Sequence, residues 1–173
     1  MNGILILDGT GGSALSELVR SKAIEIAAAK GYEAETLEIG RDDLPPCIGC
    51  LDCITKHPGS CIYDAAVRPI AEKAANRRLV LLLASSSFGN PSSAAKNVMD
   101  RGMLIVKESC RQLVIGVGAD ASDEEASAFV DIVARHRGAA EIVHTRFRET
   151  IDAFFARRPE DCAAPIEFLA RVL

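Results

Sequence analysis

The chain has 173 residues, 49% of them hydrophobic and 25% charged, a balance that suits one folded core and argues against wholesale disorder. Its net charge of -4 and pI near 5.4, with no Lys/Arg-rich stripe, speak against a phosphate-backbone binder, so no nucleic-acid partner is expected. The apolar run Ile4 to Leu7 stops at Asp8, too soon for an export signal or a membrane span; a single domain over 1–173, cytoplasmic and without a membrane partner, is the expectation. Six cysteines in such a setting point to metal, cluster or redox roles before structural disulfides.

Gly3 to Asp8 reads as a buried strand of the kind a parallel sheet needs when helices cover both faces. Glycines end it, and from Ser13 to Lys30 the positions Leu15, Leu18, Val19, Ala23, Ile26 and Ala27 recur at helical spacing up to Gly31. Glu33 to Ile39 alternates weakly and is the second expected strand. Arg41 to Tyr63 is then a long loop with three prolines and four cysteines, a length that usually signals function or disorder. Asp64 is placed to cap a helix with Val67, Ile70, Ala71 and Ala74 inward, although Pro69 also permits a start near there.

Leu79 to Ala84 is the strongest strand signal, and Ser85 to Ser93 follows as a polar strand-end loop. A helix is expected from about Ser93 to Met103 and a strand at Leu113 to Val117. Ser122 and Glu125 fit a capping box opening a helix through Arg137. Ala140 to His144 is read as the last strand, and Ile151-Phe155 with Pro165-Leu173 as helical cover for the sheet. Five strands alternating with helices imply a parallel sheet, which binds ligands at the carboxyl ends of its strands where the strand order reverses. That rule selects Gly9-Ser13, Pro45-Tyr63, Ser85-Ser93 and Gly118-Ser122 as the loops that matter.

Gly9-Thr10-Gly11-Gly12-Ser13 joins a strand to a helix N-terminus, where backbone N–H groups and the hydroxyls of Thr10, Ser13 and Ser16 suit a phosphate. The loop has no lysine, and neither the triphosphate-loop nor the three-glycine dinucleotide spacing is present. A plain glycine turn with a serine cap is the alternative. In Ser85-Ser86-Ser87-Phe88-Gly89-Asn90-Pro91-Ser92-Ser93, short hydroxyls and exposed N–H groups suit the polar edge of an isoalloxazine and Phe88 its apolar face; a solvated turn is the alternative.

Cys47, Cys50 and Cys53 stand at successive two-residue gaps, and Cys61 follows beyond Pro58-Gly59. Three such cysteines with a fourth beyond a turn can wrap a [4Fe-4S] cluster, which ranks first; zinc, a reversible dithiol and a metal-free loop follow. Cys110 and Cys162, remote in sequence, read as buried small hydrophobes. His57, His136 and His144 have no evident partner, no nucleophile elbow or Ser-His-Asp spacing occurs, and no catalytic residue is assigned. Asp42-Asp43 reads as a solvated turn.

On Pro46-Cys47-Ile48-Gly49-Cys50-x-x-Cys53 with Pro58-Gly59-x-Cys61 and Asp64, and on Ser87-Phe88-Gly89-x-x-Ser92-Ser93-x-x-Lys96 through Asp100-Arg101, the chain resembles the flavodoxin-like NADPH-dependent FMN reductase superfamily, in particular its iron–sulfur flavoprotein branch. The resemblance runs from the first strand to about Arg137. It implies a flavodoxin-like α/β three-layer sandwich, a five-stranded parallel sheet of order 2-1-3-4-5 with helices on both faces. It also implies that Thr10, Gly11, Gly12 and Ser13 cradle the FMN phosphate, that Ser85, Ser86, Ser87, Phe88 and Gly89 contact the ring, and that Cys47, Cys50, Cys53 and Cys61 ligate a cluster.

Two departures stand out. The phosphate loop is shorter than the family's and lacks its proline, and Ser85-Ser86-Ser87 stands where relatives tend to have a proline and a larger residue. The function expected is an FMN-binding redox flavoprotein that passes electrons from NADPH to a small-molecule or protein partner, working as a homodimer or tetramer. NADPH rests on the resemblance alone. The rival is a flavodoxin-like scaffold that has lost FMN, its cysteines holding zinc or nothing.

Overall fold

The strand β1, Gly3–Gly9, is buried along its whole length, because an aliphatic run with alternate side chains on opposite faces can only be satisfied between two helical layers. Ile4 and Ile6 pack toward one layer and Leu5 and Leu7 toward the other. The computed structural model describes residues 3–101, 110–143 and 151–173. In chain order these form β1, α1 (Ala14–Ala29), β2 (Glu33–Glu38), α2 (Asp52–Thr55), α3 (Asp64–Ala74), β3 (Leu79–Ser87), β4 (Asn90–Pro91), α4 (Ser93–Met99), β5 (Arg111–Val117), α5 (Asp123–Val143), β6 (Ile151–Ala156), a 3-10 turn at Pro159–Cys162 and α6 (Ala163–Val172).

The sheet runs β2-β1-β3-β5-β6 with every one of these pairings parallel, while the two-residue β4 lies antiparallel on the end of β3. Counting the five parallel strands alone, this is the expected order 2-1-3-4-5. Helices α1 and α6 cover one face through Val19, Ala23, Ala27 and Leu169 against Ile4, Leu81 and Ile115. Val67 and Ile70 of α3, Val98 of α4 and Phe129 of α5 cover the other, against Leu5, Val80 and Val114. No described helix is long and apolar enough to cross a membrane.

Several boundaries differ from expectation. Ala140 to Val143, read as the last strand, continue α5, and His144 lies outside the described residues. The last strand is Ile151–Ala156, where the sequence pattern suggests helical cover at Ile151-Phe155. A short apolar run has no periodicity long enough to separate the two states, and here the open edge beside β5 decides. The expected helix at Pro165-Leu173 is present as α6. Asp64 is the first residue of α3 and not its cap, since Tyr63 holds that position, and Pro69 is accommodated inside the helix. Met103, the expected end of α4, lies outside the described residues.

Candidate functional site

The chain reverses its strand order at β1, which has β2 on one side and β3 on the other, so the carboxyl ends of β1 and β3 open the crevice where such sheets take ligands. Gly9 pairs with Ala84, and Ser85 with Val117, which brings three of the four expected loops to one edge. Ser85 Oγ and Ser92 Oγ both point donors at the Gly9 carbonyl, at 3.5 and 3.4 Å, tying the first loop to the third.

In the first loop Gly11 and Gly12 are left-handed, with φ of 73° and 85°, and a Cβ at either position would meet nothing within 4 Å. That open, side-chain-free surface beside the N-terminus of α1 suits a phosphate. Ser13 caps the helix in a reciprocal box, its Oγ accepting from Ser16 N–H at 3.0 Å while Ser16 Oγ accepts from Ser13 N–H at 3.0 Å. The Thr10 hydroxyl and N–H, however, both donate to Asp8 Oδ1, at 2.5 and 3.0 Å. Asp8, only 4% exposed, lines a hollow with Gly11, Gly12, Glu38, Ile39 and Gly40. In the sequence Asp8 marks only the end of a strand, and the signal for more is a carboxylate closing a buried aliphatic run at a glycine loop.

The segment Ser85-Ser93 is less a loop than a hairpin: Ser85 to Ser87 prolong β3, Ser86 faces Pro91 and Ser87 faces Asn90. Its two turn residues, Phe88 and Gly89, have φ of 52° and 76°, the left-handed pair that a tight hairpin turn requires. Phe88 is 87% exposed, while Gly89 lies so close to α5 that a Cβ would sit 2.9 Å from that of Ala128. Ser86 Oγ is buried without a hydrogen-bond partner. An unpartnered hydroxyl and a projecting aromatic at the switch point fit the polar edge and apolar face of a planar ring.

The cysteine segment folds as an irregular loop around the short helix α2. Its thiols at Cys47, Cys50, Cys53 and Cys61 line one cavity with Ile48, Leu51, Ile54, Tyr63, Asp100 and Arg101. Burial pushes the Cys53 thiol up, and the nearby thiols of Cys61, Cys47 and Cys50 push it the same way. Among the described residues no three His, Cys, Asp or Glu side chains stand close enough to hold a single metal ion. A cube of iron and sulfide takes one thiolate at each of four corners, so it asks for four sulfurs around a cavity and not around a point.

Asn97 of α4 and Arg101, two residues past its end, anchor that loop. Asn97 Nδ2 donates to Leu44 O at 2.6 Å, and Arg101, 2% exposed, donates to Pro45 O and, at 3.0 Å, to Asn97 O. Arg101 Nε is buried without a partner, and its guanidinium stacks over Tyr63 at 5.9 Å. Cys110 and Cys162 are buried away from the cavity, as expected. His136, read as unpartnered, has Nε2 at 2.7 Å from Met99 O and Nδ1 at 4.0 Å from Asp100, so it braces α5 on α4.

Strand order and layering make this a flavodoxin-like α/β fold. Megasphaera elsdenii flavodoxin superposes with a TM-score of 0.56 at 12% identity, over 97% of this chain and 96% of that one. An NAD(P)H:quinone oxidoreductase from Methanothermobacter marburgensis superposes with a TM-score of 0.67 at 10% identity, over 99% and 94%. In sequence the chain is similar to the iron-sulfur flavoprotein of Methanosarcina thermophila, 26% identical over 93 residues. That match takes in 54% of this chain and 48% of the relative, so it spans about half the length of the curated protein. No family model matches the chain.

Proposed function

We propose that the chain is a flavin-dependent redox protein, an NAD(P)H-dependent FMN or quinone-type oxidoreductase or electron carrier, with a [4Fe-4S] cluster on Cys47, Cys50, Cys53 and Cys61. The observation that carries the reading is the convergence at one sheet edge of the Gly11-Gly12 surface, the hairpin with its unpartnered Ser86 hydroxyl and exposed Phe88, and a four-thiol cavity braced on the same helix α4. The similarity to an iron-sulfur flavoprotein supports the same pairing of functions.

Bound flavin would supply a carrier able to accept a hydride from a reduced nicotinamide and hand two electrons to an acceptor. The chain's own residues orient it. Ser85 to Ser87 carry the end of β3 to the ring edge, Phe88 covers an apolar face, and Gly89 lets the hairpin settle against α5. Arg101 places a buried positive charge on the thiol cavity, where four thiolates around a cluster would need one. Ile48, Leu51 and Ile62 leave the cysteine loop apolar and exposed, which supports its covering by a second copy in a homodimer or tetramer.

The test is a visible absorption spectrum of anaerobically purified protein with iron and sulfide assays on the same sample. Flavin bands with a broad cluster shoulder and about four irons per chain support the whole reading. Flavin without iron leaves a simple flavin reductase. A colourless protein that binds no added flavin removes the enzyme and leaves a flavodoxin-like scaffold.

A further inference from the structure

A phosphate is held in a strand-to-helix loop by donors that have no other acceptor. Here several are already engaged. The Thr10 hydroxyl and N–H both donate to Asp8 Oδ1, the N–H groups of Ser13 and Ser16 close the helix cap, and Gly12 N–H leans on Thr10 Oγ1 at 3.3 Å. The acceptor in the loop is thus a carboxylate of the chain itself, and its side chain is only 3% exposed.

The charge around it is also wrong for a dianion. Arg20 is the cation paired with Asp8, at 3.6 Å, and it is shared with Glu17 and, at 3.9 Å, with Glu38, which lines the same hollow. One guanidinium set against three carboxylates leaves the loop net negative. The backbone of the loop suits a phosphate, but its charge does not.

We propose that Asp8 is the residue that sets flavin choice at this site: its carboxylate occupies the donors a ribityl phosphate would take, so FMN is held no more tightly than riboflavin and behaves as an exchangeable ligand. The inference rests on the flavin reading above and deepens it. The ring half of the site, at Ser85 to Gly89, supplies the shared affinity, and at the phosphate half the repulsion of the carboxylates offsets the attraction that the backbone would ordinarily contribute.

The test is a pair of fluorescence titrations, with FMN and with riboflavin, on the full-length wild-type chain and on Asp8→Asn. The substitution keeps an oxygen for Thr10 to donate to and removes the charge. The expected wild-type result is similar affinity for the two flavins. In Asp8→Asn, FMN should tighten by ~10-fold or more, as removal of a close buried charge allows, while riboflavin stays within about threefold and so reports an intact site. Should that variant not fold, Glu38→Gln, at an exposed side chain, should move the FMN-to-riboflavin ratio the same way by about twofold.

Wild-type protein that binds FMN far more tightly than riboflavin overturns the inference while keeping the flavin reading. So does a ratio that neither substitution moves. If neither flavin binds the wild type or either variant, the flavin reading itself fails and the inference goes with it.

Discussion

The carboxamide of Asn97 reaches 53 residues back along the chain to donate to the Leu44 carbonyl at 2.6 Å, and both groups are buried. This contact fixes where the cysteine loop leaves the sheet, because Leu44 is the last buried residue before Cys47 and is fully shielded from solvent. Arg101, one turn further along, fixes the next carbonyl, at Pro45.

Asn97→Ala should therefore do two things together. Leaving a buried carbonyl unpaired should cost about 1–3 kcal/mol in denaturant unfolding. The cysteine loop should also come loose, so that Cys53 and Cys61, half-buried in the wild type, react with a thiol reagent at rates approaching those of the exposed Cys47 and Cys50. A variant that loses stability yet keeps the wild-type order of thiol reactivity would show that α4 does not position the loop.

The second test concerns the core. Gly116 in β5 faces an aromatic pair, Phe129 and Phe155, whose centroids are 5.2 Å apart at 66°. A Cβ there would stand 2.5 Å from a Phe155 ring carbon and 2.8 Å from one of Phe129. Gly116→Ala should cost about 1–3 kcal/mol by overpacking, read as a lower denaturation midpoint with an unchanged slope. A cost near zero would mean that the rings can slide aside and do not clamp β6 to α5.

This aromatic clamp also explains where sequence reasoning stopped short. The runs Gly3 to Asp8, Leu79 to Ala84 and Leu113 to Val117 are aliphatic and continuous because both faces of their strands are covered, and they were legible for that reason. Phe154 and Phe155 belong to an edge strand of six residues, where apolar content without a longer period looks the same for strand and helix. Only the parallel register of β6 on β5 distinguishes them. At the site, the four thiols, the glycine turn and the serine-rich segment could be read from residue type and spacing. The roles of Asp8, Asn97 and Arg101 could not, because each depends on which carbonyl, amide or hydroxyl the fold brings alongside.

The buried Cys162 thiol makes a prediction about alkaline stability. Burial raises it, joined by Asp161 and Glu160. A raised acid holds its proton longer in the folded state than in the unfolded one. Its contribution is whole below the ordinary thiol value of about 8.5 and is lost as pH climbs through the folded value. The thermal midpoint should fall above about pH 8.5. Cys162→Ala should cost about 1 kcal/mol at neutral pH and make that alkaline fall shallower. An equally steep fall in the variant would assign the loss to other groups.

Phe88 sets stability against function. A non-glycine residue with φ of 52° bears a backbone cost, and 87% exposure leaves the ring little packing to offset it. Retaining such a residue in a two-residue turn makes sense where the ring covers a ligand. Asn tolerates the left-handed region far better. Phe88→Asn should thus unfold at the same temperature or higher, with a gain of up to about 1 kcal/mol. Flavin affinity should fall by about tenfold for FMN and riboflavin alike, since the lost contact is with the ring and not the phosphate. That equal loss separates Phe88 from Asp8, whose replacement is expected to shift the two flavins apart. If Phe88→Asn leaves both affinities intact, the hairpin is only a strained turn, and the ring must lie elsewhere along the sheet edge.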